Sequence, residues 1–108
     1  LPEAKALIEQ ALALDPENGA YVDSLGWACY KLGRLDEAIA HLERAAHLLD
    51  SDPVIFDHLG DAYLKHHEPE KAREYWLRAL DLDPTLTAVK QKLERMAPRE
   101  AAADAVQP

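Results

Sequence analysis

Apolar residues recur along this chain at helical spacing, and they do so twice in the same figure. Val22, Leu25, Gly26 and Cys29 fall at i, i+3, i+4 and i+7, and Phe56, Leu59, Gly60 and Tyr63 repeat them. A second stripe, small then large then small, runs through Ala38, Leu42 and Ala45 and returns as Ala72, Trp76 and Ala79. The pattern predicts an all-α chain of about six helices, roughly over residues 2–14, 19–32, 35–49, 53–66, 69–82 and 85–97.

The breaks between these stretches have their own chemistry. Gly33, in Leu32-Gly33-Arg34, can take the left-handed conformation that closes a helix. Asp15-Pro16, Asp52-Pro53 and Asp83-Pro84 mark further boundaries, because the residue before proline avoids helical torsions. His66-His67 stands where Leu32-Gly33 stood, so His67 is expected to hold a left-handed conformation that glycine would hold without strain. The last helix is expected to stop at Pro98 and to cover the apolar face of the pair before it. Residues 99–108 have no core partner in view and read as a disordered tail.

Aligning Gly26 with Gly60 exposes a repeat with a period of 34 residues. Under that offset Asp23 matches Asp57, Leu25 matches Leu59, Lys31 matches Lys65, Ala38 matches Ala72 and Ala45 matches Ala79. Residues 1–18 match residues 35–52 in the same way, through Leu1/Leu35, Ala4/Ala38 and Ala11/Ala45 among others. A fixed period of this length signals stacked helix pairs. Gly26 and Gly60 weaken their helices by about 1 kcal/mol each relative to alanine. A close helix crossing explains why they are there.

The spacing of Leu25-Gly26, Ala38, Leu42 and Ala45, then Leu59-Gly60, Tyr63, Ala72, Trp76, Ala79 and Pro84, resembles the tetratricopeptide repeat (TPR). The resemblance implies a right-handed α-solenoid of antiparallel helix pairs. Residues 1–18 would be the second helix of a truncated repeat, 19–52 and 53–86 two repeats, and 85–98 a capping helix. The wording of both repeats is similar to bacterial multi-repeat proteins, of which this would be a C-terminal portion.

Proteins of this family are interaction scaffolds that hold a peptide in a concave groove lined by the first helix of each repeat. Carried over position by position, the groove would comprise Ala20, Asp23, Trp27, Tyr30 and Lys31, then Val54, Asp57, Asp61, Leu64 and Lys65. Periodicity separately places these residues off the core stripe. Trp27 is thus expected at the groove as a partner's anchor, with packing against a neighbouring repeat as the alternative. Asp23, Asp57 and Asp61 would form an acidic strip favouring a basic ligand, or simply a solvated face. Family members that clamp the acidic EEVD tails of heat-shock chaperones use Lys and Asn where this chain has Asp23, Trp27, Asp57 and Asp61. An acidic C-terminal tail is therefore expected to be repelled.

Composition narrows the field further. Twenty acidic residues against twelve basic ones give a formal charge of −8, so the chain lacks the basic stripe that nucleic acid demands. Cys29 is the only cysteine, which rules out an internal disulfide framework. No apolar run approaches the ~20 residues of a membrane-spanning helix. The five histidines lack the spacing of a zinc site, and no phosphate loop or nucleophile motif is present. No cofactor, metal or catalytic role is expected. The expected partner is a protein or peptide, basic or amphipathic, with other repeats of a parent chain and self-association as further candidates. A structural segment of a longer superhelix, or an accessory domain of an enzyme, is the alternative role.

Overall fold

A computed structural model describes the backbone of residues 2–106 and the side chains of residues 3–96; Leu1 and the expected tail residues 107–108 lie outside the described residues. Six helices follow in order: α1 (Pro2–Leu14), α2 (Gly19–Lys31), α3 (Leu35–Leu48), α4 (Pro53–Lys65), α5 (Pro69–Leu82) and α6 (Thr87–Val106). Neighbours in sequence pack on one another, and α3 bridges to α4. The result is a stack 57 Å long and 26 by 19 Å across.

The first residues of α2, α4 and α6, namely Gly19, Pro53 and Thr87, are evenly spaced by 34. The final helix therefore keeps the register of the repeat, starting two residues later than expected. It also passes through Pro98 instead of stopping there, so residues 99–106, expected as tail, continue the helical backbone. Val89 of α6 is buried, and Leu86, Leu93 and Met96 pack on the main core.

Caps follow local chemistry. Asn18 accepts from the Tyr21 N–H at 3.1 Å and Asp52 from the Val54 N–H at 3.0 Å, satisfying donors that a helix start leaves free. At the other ends, Gly33 and His67 both turn left-handed, with φ of 80° and 62°. Each lets the next N–H reach back: Arg34 to the Cys29 carbonyl and Glu68 to the Tyr63 carbonyl, both at 2.9 Å. Two different residues thus close two equivalent turns.

The core stripes meet as predicted. Val22, Leu25, Cys29, Phe56, Leu59 and Tyr63 are buried, as are Ala38, Leu42, Ala45, Ala72, Trp76 and Ala79. A Cβ on Gly26 would stand 2.8 Å from Leu42 Cγ, and one on Gly60 would overlap the Trp76 indole outright. Both helices need glycine at the crossing.

One joint was not legible in the pattern. Tyr63 of α4 and Tyr75 of α5 stack at 5.5 Å and both donate to Glu43 Oε1 of α3, at 2.9 and 2.8 Å. Burial, then the Glu43 carboxylate, drive both phenol pKa values upward, Tyr75 to about 12. The two rings tie successive helix pairs together.

Candidate peptide-binding face

Helices α2 and α4 touch directly, which brings residues 34 apart in sequence side by side on one face. The ten residues singled out from the sequence divide into three kinds there. Ala20, Lys31, Val54, Leu64 and Lys65 are exposed, with Val54 at 48% and Leu64 at 43% of full exposure. Trp27 and Tyr30 are half-buried. Asp23, Asp57 and Asp61 are half-buried too, and every one of them is already engaged.

Trp27 sits at the centre. Its indole stacks on the Tyr30 ring at 4.5 Å and on the His58 imidazole at 4.2 Å, nearly parallel to both. The i, i+3 spacing on α2 brings Trp27 and Tyr30 together, and the helix contact supplies His58 from α4. Above the rings hang two cations: Lys31 Nζ lies 5.8 Å from the Trp27 ring and Lys65 Nζ 5.1 Å from the Tyr30 ring. Trp27 therefore packs against the neighbouring helix pair while keeping part of its surface open.

The acidic strip is not free. His58 Nδ1 lies 2.8 Å from Asp23 Oδ1, its ring N–H donating to the carboxylate. Lys92 of α6 reaches Asp57 at 2.7 Å and Asp61 at 2.9 Å. Burial raises the Asp61 carboxyl above its ordinary range despite the pull of Lys92. Burial also opposes charge on Lys92, but the bonds to Asp57 and Asp61 outweigh it and its pKa goes up. The strip expected to attract basic ligands and repel acidic ones is partly countered from within, three carboxylates sharing one lysine and one histidine.

His58 and Lys92 are the residues that sequence reasoning missed. The partner of His58 is Asp23 on α2, two helices earlier. A signal existed: His58 and Lys92 are themselves 34 residues apart, each 35 residues beyond an aspartate of the matched pair Asp23/Asp57. Among the described residues, no group of three metal-ligating side chains converges, and Cys29 is buried with burial pushing its thiol pKa up.

Known proteins share this arrangement. Two tetratricopeptide repeat family profiles match the chain, over residues 1–53 and 53–86. The TPR repeat-containing thioredoxin TTL4 of Arabidopsis thaliana is 36% identical over 73 residues, 68% of this chain and 11% of that protein. The chain thus spans about a tenth of the length of that curated relative. Among solved structures, the first TPR of Spaghetti (RPAP3) bound to the HSP90 peptide SRMEEVD superposes with a TM-score of 0.87 at 21% identity, covering 93% of this chain and 79% of that one. The Yersinia enterocolitica type III secretion translocator chaperone SycD gives a TM-score of 0.85 at 20% identity, covering 93% and 74%. MamA gives 0.84 at 21% identity, covering 93% and 58%. With its 34-residue register, its glycine-mediated helix crossings and these family matches, the chain belongs to the tetratricopeptide repeat family.

Proposed function

We propose that this protein binds a peptide segment of a partner protein on the face shared by α2 and α4, with Trp27 as the principal anchor. One observation carries the reading: the Trp27 indole is only half-buried although it stacks on two rings, and Leu64 and Val54, which the 34-residue register assigns to the same face, are exposed. Aromatic residues that are held rigid yet reachable dominate binding energy at interfaces, because little side-chain entropy is lost when a partner covers them. Structural neighbours that hold peptides or serve as chaperones lend the reading general support.

A random peptide display library panned against the protein tests it. Enriched peptides should lose about tenfold or more in affinity on Trp27→Ala, the scale of an aromatic anchor, while far-ultraviolet circular dichroism stays helical. Peptides indifferent to both Trp27→Ala and Leu64→Ala would place binding on another surface.

A second reading rests on a separate observation. Ala4, Ile8 and Ala11 of α1 occupy the register of Ala38, Leu42 and Ala45, yet Ala4 is exposed and Ile8 and Ala11 are only half-buried. Leu7 and Leu14 of the same helix are 66% and 90% exposed. This face would take a further helix and continue the stack, a structural role compatible with peptide binding elsewhere.

A further inference from the structure

The two ends of the stack are finished differently. On α3 and α5 the stripes Ala38, Leu42, Ala45 and Ala72, Trp76, Ala79 are buried. On α1 the same register falls on Ala4, Ile8 and Ala11, which are exposed or half-buried, and Leu7 and Leu14 beside them are exposed. A second uncovered group lies on α2, the helix that α1 touches. Tyr21 is 40% exposed, whereas Ile55 and Val89, its counterparts on α4 and α6, are buried. Two adjacent helices thus leave bare the positions that later repeats cover.

The opposite end is closed by charge. Where α2 and α4 carry Val22 and Gly26, then Phe56 and Gly60, α6 carries Lys90 and Glu94, both exposed. A second copy therefore has no helix to offer α1: α2 and α4 are already paired with α3 and α5, and α6 would bring Lys90 and Glu94 against Ile8. Burying those charges without partners is costly.

We infer that the open end of α1 and α2 docks one amphipathic helix of a partner, antiparallel to α1, with glycine or alanine where it crosses Ile8 and lysine or arginine in its last turn. This rests on the reading of α1 as an open face given above and names the chemistry of the helix. The interface continues the seam that α2 forms with α3 and α4 with α5. Ile8 stands in the register of Leu42 and Trp76, the two side chains that leave no room for a Cβ on Gly26 and Gly60. The crossing helix must be small at that point too. Charge sets its end. Helices α2 and α4 finish with Lys31 and Lys65, and α3 and α5 open with Asp36, Glu37 and Glu70. Helix α1 opens with Glu3, which is exposed.

The probe is a second copy of residues 18–34, joined directly ahead of Leu1 so that the native step Arg34-Leu35 is reproduced as Arg34-Leu1. It carries a capping asparagine, a glycine at the crossing and a basic end, and the tether holds it at a high effective concentration. The extended protein should melt at least about 5 °C higher, and amide exchange along α1 should slow at least about tenfold. Gly26→Leu in the added copy should cancel both gains. Lys31→Glu in the added copy should reduce the rise in melting temperature at about 50 mM salt and less so at about 300 mM, where exposed charges are screened. A gain that survives Gly26→Leu overturns the small-residue crossing while leaving the face in use, and one indifferent to Lys31→Glu overturns the basic end. No gain in either measurement overturns the face itself. A dimer of the unextended chain in sedimentation, dissociated by Leu7→Glu, would give the end to a second copy and overturn the partner helix.

Discussion

Asp23 on α2 and His58 on α4 meet at 2.8 Å across the boundary between helix pairs, 35 residues apart in sequence. Asp57 and Lys92 repeat the contact at 2.7 Å one period later, with the same separation. A carboxylate on one first-position helix thus grips a basic side chain on the next. The pairing links α2 to α4 and α4 to α6 in register and offsets part of the negative charge on the face that Trp27 occupies.

Lys92→Met should destabilise the protein by about 1–2 kcal/mol near neutral pH, since it leaves two partly buried carboxylates without a counter-charge. The loss should shrink at about pH 4, where an ordinary carboxylate is near half-protonated and Asp61, raised by burial, is further along. Urea melts at both pH values decide it. An equal loss at both would mean that Lys92 stabilises through its packed stem and not its charge.

Gly60→Ala should cost ~1–3 kcal/mol through overpacking, because its Cβ would overlap the rigid Trp76 indole. Gly26→Ala meets the Leu42 side chain at 2.8 and 2.9 Å and the Ala38 carbonyl oxygen at 3.2 Å, a clash less deep than the one with the indole at Gly60. About 1 kcal/mol of helix propensity works in alanine's favour at either site. The melting temperature should therefore fall further for Gly60→Ala than for Gly26→Ala, and the reverse order would contradict the crossing geometry.

The two tryptophans should behave differently. Trp76 is 1% exposed and donates through Nε1 to the Asp57 carbonyl, so Trp76→Ala should cost ~3–5 kcal/mol by leaving a cavity. Trp27→Ala removes two ring stacks at a half-buried site, worth about 0.5–1.5 kcal/mol each beyond area burial. Paired denaturation curves separate them. Equal destabilisation would make Trp27 a packing residue.

His67→Gly should raise stability, by roughly 0.5–1 kcal/mol. A left-handed conformation costs a non-glycine residue about 1–2 kcal/mol, and the greater freedom of glycine in the unfolded chain returns part of that. Gly33 already shows that this turn accepts glycine. A lower melting temperature for His67→Gly would mean that the imidazole contributes more than its backbone strain removes.

His66 gives the fold a pH dependence. Its ring bonds to Glu68 at 2.9 Å and to Asp36 at 3.0 Å, and the Glu68 bond first, with Asp36 adding to it, raises its pKa. The folded form therefore favours the imidazolium. Its stabilisation is fully present below the unfolded value of about 6.5 and is lost as pH rises through the folded one. His41, lowered by burial, works in the opposite sense. The measurement is thus the difference in melting temperature between wild type and His66→Gln from about pH 5.5 to about pH 8.5, the range where histidine titrates. A difference that stays constant or widens as pH rises would contradict the assignment.

Helices, period and core were legible in the sequence because they rest on local rules. Apolar spacing fixes which side of a helix is buried, small residues mark close crossings, and glycine or its substitute His67 closes a turn. Gly26, Gly60, Trp76 and His67 all behave as those rules require. The reach of α6 beyond Pro98 was not legible, because proline as a helix stop is a local preference that the observed backbone overrides.

What the sequence could not settle is which charges stay free. Asp23, Asp57 and Asp61 read as an acidic strip because a linear pattern assigns residues to faces but does not say what stands opposite. Their partners, His58 and Lys92, arrive from two helices further on, 31 to 35 residues away, and only helix stacking brings them within 3 Å. The same stacking lays His58 on Trp27 and Lys65 over Tyr30. Fold follows from periodicity along the chain, whereas the sign of the face's open charge follows from contacts between helices, which tertiary packing alone determines.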